Sequence, residues 1–216
     1  MTDAPSIRSR DGLALEAAVD AAPAVRAGLV LCHPHPQMGG TMNAPLLCAV
    51  RDEMVRRSWG VLRFNFRGIG GSEGAPSLGI EEVADAGGAT DHARTLWQGV
   101  PLAIAGWSFG AAVAVRLVAS GEDLIACAAI APAVNEKPGV TAGLPAPSEL
   151  DDGPPLLFVC AANDRQVLPE DCSSWANDAG AKLVTMRGAN HFFWGKYDDL
   201  AETVGTWLDA RLEERT

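Results

Sequence analysis

The sequence is short of positive charge. Lys and Arg number 17 against 27 Asp and Glu, a formal net charge of −10. Such a surface repels phosphate backbones and anionic headgroups, so neither nucleic acid nor membrane is expected as a partner. Long apolar runs are missing as well. No stretch approaches the ~18 residues of a membrane span, and the opening MTDAPSIRSRDG lacks the apolar segment of a signal peptide. Cysteine is sparse: Cys32, Cys48, Cys127, Cys160 and Cys172 are scattered, odd in number and mostly inside apolar runs. That pattern argues against a disulfide framework or a zinc cluster and predicts reduced thiols in a cytoplasmic protein. Internal repeats and low-complexity tracts are also lacking.

What is present suffices for a core. The chain has 216 residues, 48% hydrophobic and 20% charged, and one domain over 1–216 is expected. Strand-length apolar runs fall at 27–32, 61–66, 102–106, 124–130, 156–161 and 182–186. Each is apolar almost throughout, as strands buried on both faces are. A weaker run at 13–19 suits an antiparallel edge. Between the runs, Leu47, Val50 and Met54 in 45–59 and Leu200, Val204, Trp207 and Leu208 in 197–212 fall at helical spacing. Segments 81–98 and 109–120 also read as helices, interrupted by Gly87, Gly88 and Gly110. This β-α alternation predicts a mostly parallel sheet covered on both faces. Segment 131–154 is loop-like and is expected to be a surface crossing or small cap.

In such a sheet, ligands sit at the carboxyl ends of the strands. There, Gly106-Trp107-Ser108-Phe109-Gly110 forms a G-x-S-x-G between a strand and a small-residue helix. A sharp strand-to-helix turn strains the serine backbone, and only glycines let strand and helix pass closely. A serine alcohol needs a base. The histidines are His33, His35, His92 and His191. His92 falls inside a predicted helix, whereas His191 follows the last strand in GANHFF. The base needs an acid to fix its tautomer. Asp164 follows the strand at 156–161 in AANDRQV and is the candidate acid, with a helix cap as the alternative reading; Glu136 is the second choice.

Ser108, Asp164 and His191 follow the chain order of the α/β-hydrolases. The sequence resembles that superfamily, and within it the small lidless bacterial serine hydrolases related to dienelactone hydrolases and prolyl-oligopeptidase-type enzymes. HPHPQMGGTMN, FNFRGIGGSEG, GWSFG, AANDRQV and GANHFF, in that order, carry the resemblance from about residue 26 to 212. Dienelactone hydrolases use a cysteine nucleophile, and this chain has Ser108 in its place. The resemblance implies an α/β-hydrolase fold without a large lid. It also implies that the backbone N–H groups of His35 and Phe109 form an oxyanion hole, with the Met38 N–H as the alternative donor.

His33 then has a structural role inside the HPHP loop. A metal on His33 and His35 lacks a nearby acidic or cysteine cluster, and no metal or cofactor is expected. The loop RGIGGSEG departs from a nucleotide fingerprint, because Glu73 stands where the third glycine belongs and Pro76 follows. It reads as a turn with Arg67 as a buried donor. Met38, Trp107 and Phe192 are candidate substrate contacts, and Phe109, Phe193 and Trp194 complete the aromatics around the site. The expected activity is cleavage of small carboxylic esters or thioesters through an acyl-enzyme. An open site should favour short acyl chains. Peptide or amide cleavage by the same residues, and ligand binding without turnover, are the alternatives. A homodimer is left open.

Overall fold

The structure is a computed structural model, and it describes residues 6–215. One sheet of eight strands runs through it: β1 (Ser6–Arg8), β2 (Ala14–Asp20), β3 (Ala27–Cys32), β4 (Trp59–Phe64), β5 (Leu102–Trp107), β6 (Cys127–Ile130), β7 (Leu156–Ala161) and β8 (Lys182–Met186), in spatial order β1-β2-β4-β3-β5-β6-β7-β8. Strands β1 and β2 are antiparallel to their neighbours, and β4 to β8 with β3 are parallel.

Among the described residues five α-helices cover the sheet: α1 (Pro45–Arg56), α2 (Glu82–Leu96), α3 (Phe109–Ala119), α4 (Pro169–Asp178) and α5 (Tyr197–Glu213). Alternation along each strand sends side chains to opposite faces. Leu29 and Leu31 of β3 belong to the core on the α1 and α5 side, while Val30 and Cys32 belong to the core on the side of α2, α3 and α4. The full burial of β3 to β7 therefore follows from helices on both faces, as their apolar composition predicts, whereas β8, expected to be buried in the same way, is the outermost strand and is partly exposed.

Several boundaries differ from the sequence reading. Strand β4 begins two residues early, because Trp59 and Gly60 pair with Ala27 and Gly28 of β3. Strand β6 begins late: Leu124 and Ile125 are buried but outside the ladder. Strand β2 is not the edge, since β1 pairs outside it. Helix α4 escaped notice because Pro169-Glu170-Asp171 opens a short, polar element. Gly88 does not break α2 and is there for a tertiary reason, since a Cβ there would stand 2.1 Å from the Arg8 carbonyl oxygen of β1.

The cysteine reading is corrected. Cys160 at the end of β7 and Cys172 on α4 form a disulfide, and both lie in the core on the α2–α3–α4 side. Burying one face of α4 against β7 brings two small apolar residues together, which separation along the sequence could not reveal. Cys32, Cys48 and Cys127 are free thiols. Segment 131–154 is a pinned crossing: Arg116 donates to the carbonyls of Gly143 and Ala142, and Trp175 to that of Pro145. Among the described residues no helix is long and apolar enough to cross a membrane.

Candidate active site

Ser108 sits between β5 and α3 with φ 56° and ψ −113°. A positive φ at a serine is strained and survives only where its surroundings enforce it. Here they do: its N–H donates to Ile130 O at 2.8 Å and its carbonyl accepts from Ala112 N at 3.1 Å. The flanking glycines are required by contact. A Cβ at Gly106 would lie 2.3 Å from the Gly110 carbonyl oxygen, and one at Gly110 would lie 2.3 Å from that of His33. The same closeness presses the loop after β3 onto the first turn of α3.

The structure brings Ser108, His191 and Asp164 together. His191 Nε2 is 3.0 Å from Ser108 Oγ, and His191 Nδ1 is 2.7 Å from Asp164 Oδ2. The other carboxylate oxygen of Asp164 accepts the backbone N–H groups of Gln166 and Val167 at 2.8 and 3.0 Å. Burial alone would push the Asp164 carboxyl up. The hydrogen bonds from His191, Val167 and Gln166 outweigh it and hold the group below its usual value. The ionised carboxylate can only accept, so Nδ1 of His191 carries the proton and Nε2 presents its lone pair to the serine hydroxyl. Trp107 fixes the histidine from the other side, its Nε1–H donating to the His191 carbonyl at 3.1 Å. Glu136, the second choice of acid, is exposed, and Asp164 holds the histidine nitrogen it would need.

The HPHP loop is built from local bonds. His33 is fully buried. Its Nε2 accepts the Phe66 N–H at 3.0 Å, and its Nδ1 lies 2.7 Å from Pro34 O. Both ring nitrogens are thus occupied, which leaves no lone pair for a metal. His35 Nε2 donates to Val140 O at 2.9 Å, in segment 131–154. The Met38 N–H is consumed by His35 O at 3.1 Å, so it is not a free donor. Among the described residues the backbone N–H groups of His35 and Phe109 make no hydrogen bond. The rings of these two residues are 5.2 Å apart, and Phe109 is the first residue of α3, where the helix dipole favours negative charge.

Around these residues, Trp107 is buried, Phe192 is partly open and Met38 is exposed. Phe192 packs edge-on against His191 and Trp107, with ring centroids 5.7 and 6.2 Å apart. Phe193 faces the core. Arg67 is the buried donor its position suggested. It makes a bidentate contact with Asp85 on α2 and reaches Asp11 and Glu81. Asp85 was not foreseen, because nothing in the surrounding sequence marks an aspartate in the first turn of a helix as buried. His92 is on α2, away from the site. Two cavities, one beneath Trp97 and Arg94 and one between β8 and α5, are lined by none of these residues.

A mostly parallel sheet with a strained serine after its central strand, facing a histidine–aspartate pair, defines a serine hydrolase of the α/β-hydrolase fold. The chain belongs to the family described as serine aminopeptidase, S33, whose model matches residues 23–150. That match includes Ser108 and ends before Asp164 and His191. Protein RP471 of Rickettsia prowazekii is 32% identical over 190 residues, covering 83% of this chain and 77% of that protein. Among solved structures, ATU1826 of Agrobacterium tumefaciens is 29% identical with a TM-score of 0.83, covering 97% of both chains. XC6422 of Xanthomonas campestris, an α/β serine hydrolase without a lid, is 27% identical with a TM-score of 0.78, over 92% of this chain and 89% of that one. These relatives bear on the superfamily and not on the narrower kinship with dienelactone hydrolases.

Proposed function

We propose that this protein cleaves small carboxylic esters or thioesters through an acyl-enzyme. The observation that carries the reading is the unbroken hydrogen-bonded series from Ser108 Oγ through His191 to Asp164. His191 Nε2 takes the hydroxyl proton as Ser108 Oγ attacks the carbonyl carbon. Asp164 stabilises the imidazolium that forms. The carbonyl oxygen gains negative charge and is held by the N–H groups of His35 and Phe109, whose lack of partners supports this role; one such donor is worth roughly 10²–10³ in rate. Collapse expels the alcohol or thiol, which takes the proton from His191. Water then loses a proton to Nε2, attacks the acyl carbon and releases the acid, restoring Ser108. No step calls for a cofactor.

A cytoplasmic enzyme acting on soluble esters is part of this proposal. The charge of −10 supports it by disfavouring anionic surfaces. The Cys160–Cys172 bond removes the support that scattered reduced thiols would have lent.

Peptide or amide cleavage is the second reading, favoured by the family description. The test is hydrolysis of p-nitrophenyl acetate, butyrate and octanoate at pH 8, beside an amino-acid p-nitroanilide, by wild type and Ser108→Ala. Ester turnover falling on the order of 10⁶ in the variant supports the proposal. Anilide cleavage without ester cleavage supports the second reading. Ester turnover that survives the substitution removes Ser108 as the nucleophile. Octanoate turned over as well as acetate counts against a preference for short chains.

A further inference from the structure

Exposed apolar side chains are gathered at one end of the molecule. Five of the seven large exposed hydrophobics among the described residues are Met38, Ile80, Leu168, Phe192 and Trp194. They lie in the segments that follow β3, β4, β7 and β8, strands that run parallel to β5. Those segments leave the sheet at the same end as Ser108. Single exposed apolar residues are ordinary, but a group of them around one end is the kind of surface that binds.

Within this group Phe192 and Trp194 form a built feature. Their rings stack at 4.9 Å with an interplanar angle of 13°, yet they stay 37% and 66% exposed. The backbone arranges this. Phe193 between them has φ 51° and is fully buried, which turns its neighbours to the outside on one side of the chain. Its N–H donates to Asn190 O at 2.9 Å, and Asn190 Oδ1 accepts the Phe192 N–H at 3.0 Å. A left-handed phenylalanine is costly and needs fixed surroundings. The result is a run of rings from His191 through Phe192 to Trp194, ending in an open indole face.

We propose that Phe192 and Trp194 form a stacking platform for a planar aromatic group of the substrate. The preferred substrates are then esters with an aryl ring a few bonds from the reacting carbonyl. For the ester itself this rests on the function proposed above; the platform rests on the stacked pair alone. A flat indole face favours an aromatic ring over a saturated ring of equal size by about two- to tenfold, through edge and face electrostatics beyond area burial.

The test compares methyl 3-phenylpropanoate with methyl 3-cyclohexylpropanoate, which have the same carbon skeleton and differ in planarity. Wild type should show kcat/KM higher for the phenyl ester by about two- to tenfold, and Trp194→Leu should bring the ratio close to one. Trp194→Phe, which keeps a ring, should retain part of the preference. Equal rates in wild type, or a ratio that survives Trp194→Leu, overturns the platform. If wild type hydrolyses neither ester, the ester function fails, and binding of the two esters to Ser108→Ala by calorimetry then decides the platform by itself. Tighter phenyl binding that is lost in Ser108→Ala/Trp194→Leu supports it, and equal binding overturns it.

Discussion

His33 Nε2 accepts the backbone N–H of Phe66 at 3.0 Å, although the two residues lie 33 apart in the chain. The bond ties the segment after β3 to the segment after β4. The histidine is therefore a strut under the loop that carries the His35 amide.

Acid should weaken this strut. Burial pushes the His33 imidazole down from 6.5 to about 4, with the Pro34 carbonyl opposing the shift and His35 adding to it. The folded value is below the unfolded one, so the unfolded state takes up the proton first. The stability His33 contributes is complete above pH 6.5 and is lost as pH falls towards 4, on the order of 3 kcal/mol. Urea midpoints measured between pH 7 and 4 should fall more steeply in wild type than in His33→Ala. The variant should be weaker at pH 7 by about 1–3 kcal/mol, because the Phe66 N–H loses its acceptor. Parallel curves would show that His33 does not titrate this way.

Asp164→Asn should lower kcat on the order of 10⁴ while leaving the fold intact. The direction follows from the two amides on Oδ1. Gln166 and Val167 both donate there, so the asparagine oxygen takes that position and its NH₂ faces His191 Nδ1. The proton then moves to Nε2, which can no longer accept from Ser108. Glu136→Gln should leave the rate unchanged. Steady-state kinetics on p-nitrophenyl acetate measures both, and the opposite ranking would make Glu136 the acid.

Gly110→Ala should be poorly tolerated. The added methyl would stand 2.3 Å from His33 O and 2.4 Å from Cys32 O, both backbone atoms that move only with β3. Overpacking of this kind costs about 1–3 kcal/mol or more. Relief would also separate the amides of His35 and Phe109. Calorimetric melting and kcat should therefore fall together; a variant with normal stability and rate would contradict the packing described.

Three of the five thiols should titrate in the denatured, unreduced protein, since Cys160 and Cys172 are joined. The bond spans the segment that carries Asp164, across a sequence separation of 12. Closing a loop of that length stabilises by about 3 kcal/mol on the chain-entropy account. Cys172→Ser should lower the melting temperature, and prior reduction should do the same to wild type. A count of five thiols would show the pair reduced.

The site was legible where its chemistry is local. A glycine-flanked serine between a strand and a helix is a turn that neighbouring residues dictate, and Ser108 could be read from five letters. His191 was separable from the other histidines because it follows the last strand. Asp164 was harder: an acid after a strand could as well cap a helix, and only the 2.7 Å contact with His191 distinguishes it from Glu136. Met38 could be set aside as an oxyanion donor only once its N–H was seen to be spent on His35 O.

By itself, the sequence determined most of the alternation of strands and helices, the two-sided burial of the central strands and the candidate nucleophile Ser108. Each rests on periodicity or on contacts between near neighbours. Tertiary structure decided the rest. The Cys160–Cys172 bond needed the docking of α4, an element too short and polar to announce itself. The pairing of Arg67 with Asp85 needed α2 laid against the sheet. The outward stacking of Phe192 on Trp194 needed Phe193 to turn into the core. In the first two cases two segments meet through burial of surface that they expose when apart, in the third one buried side chain sets the direction of its neighbours, and no local pattern records which partner will cover that surface.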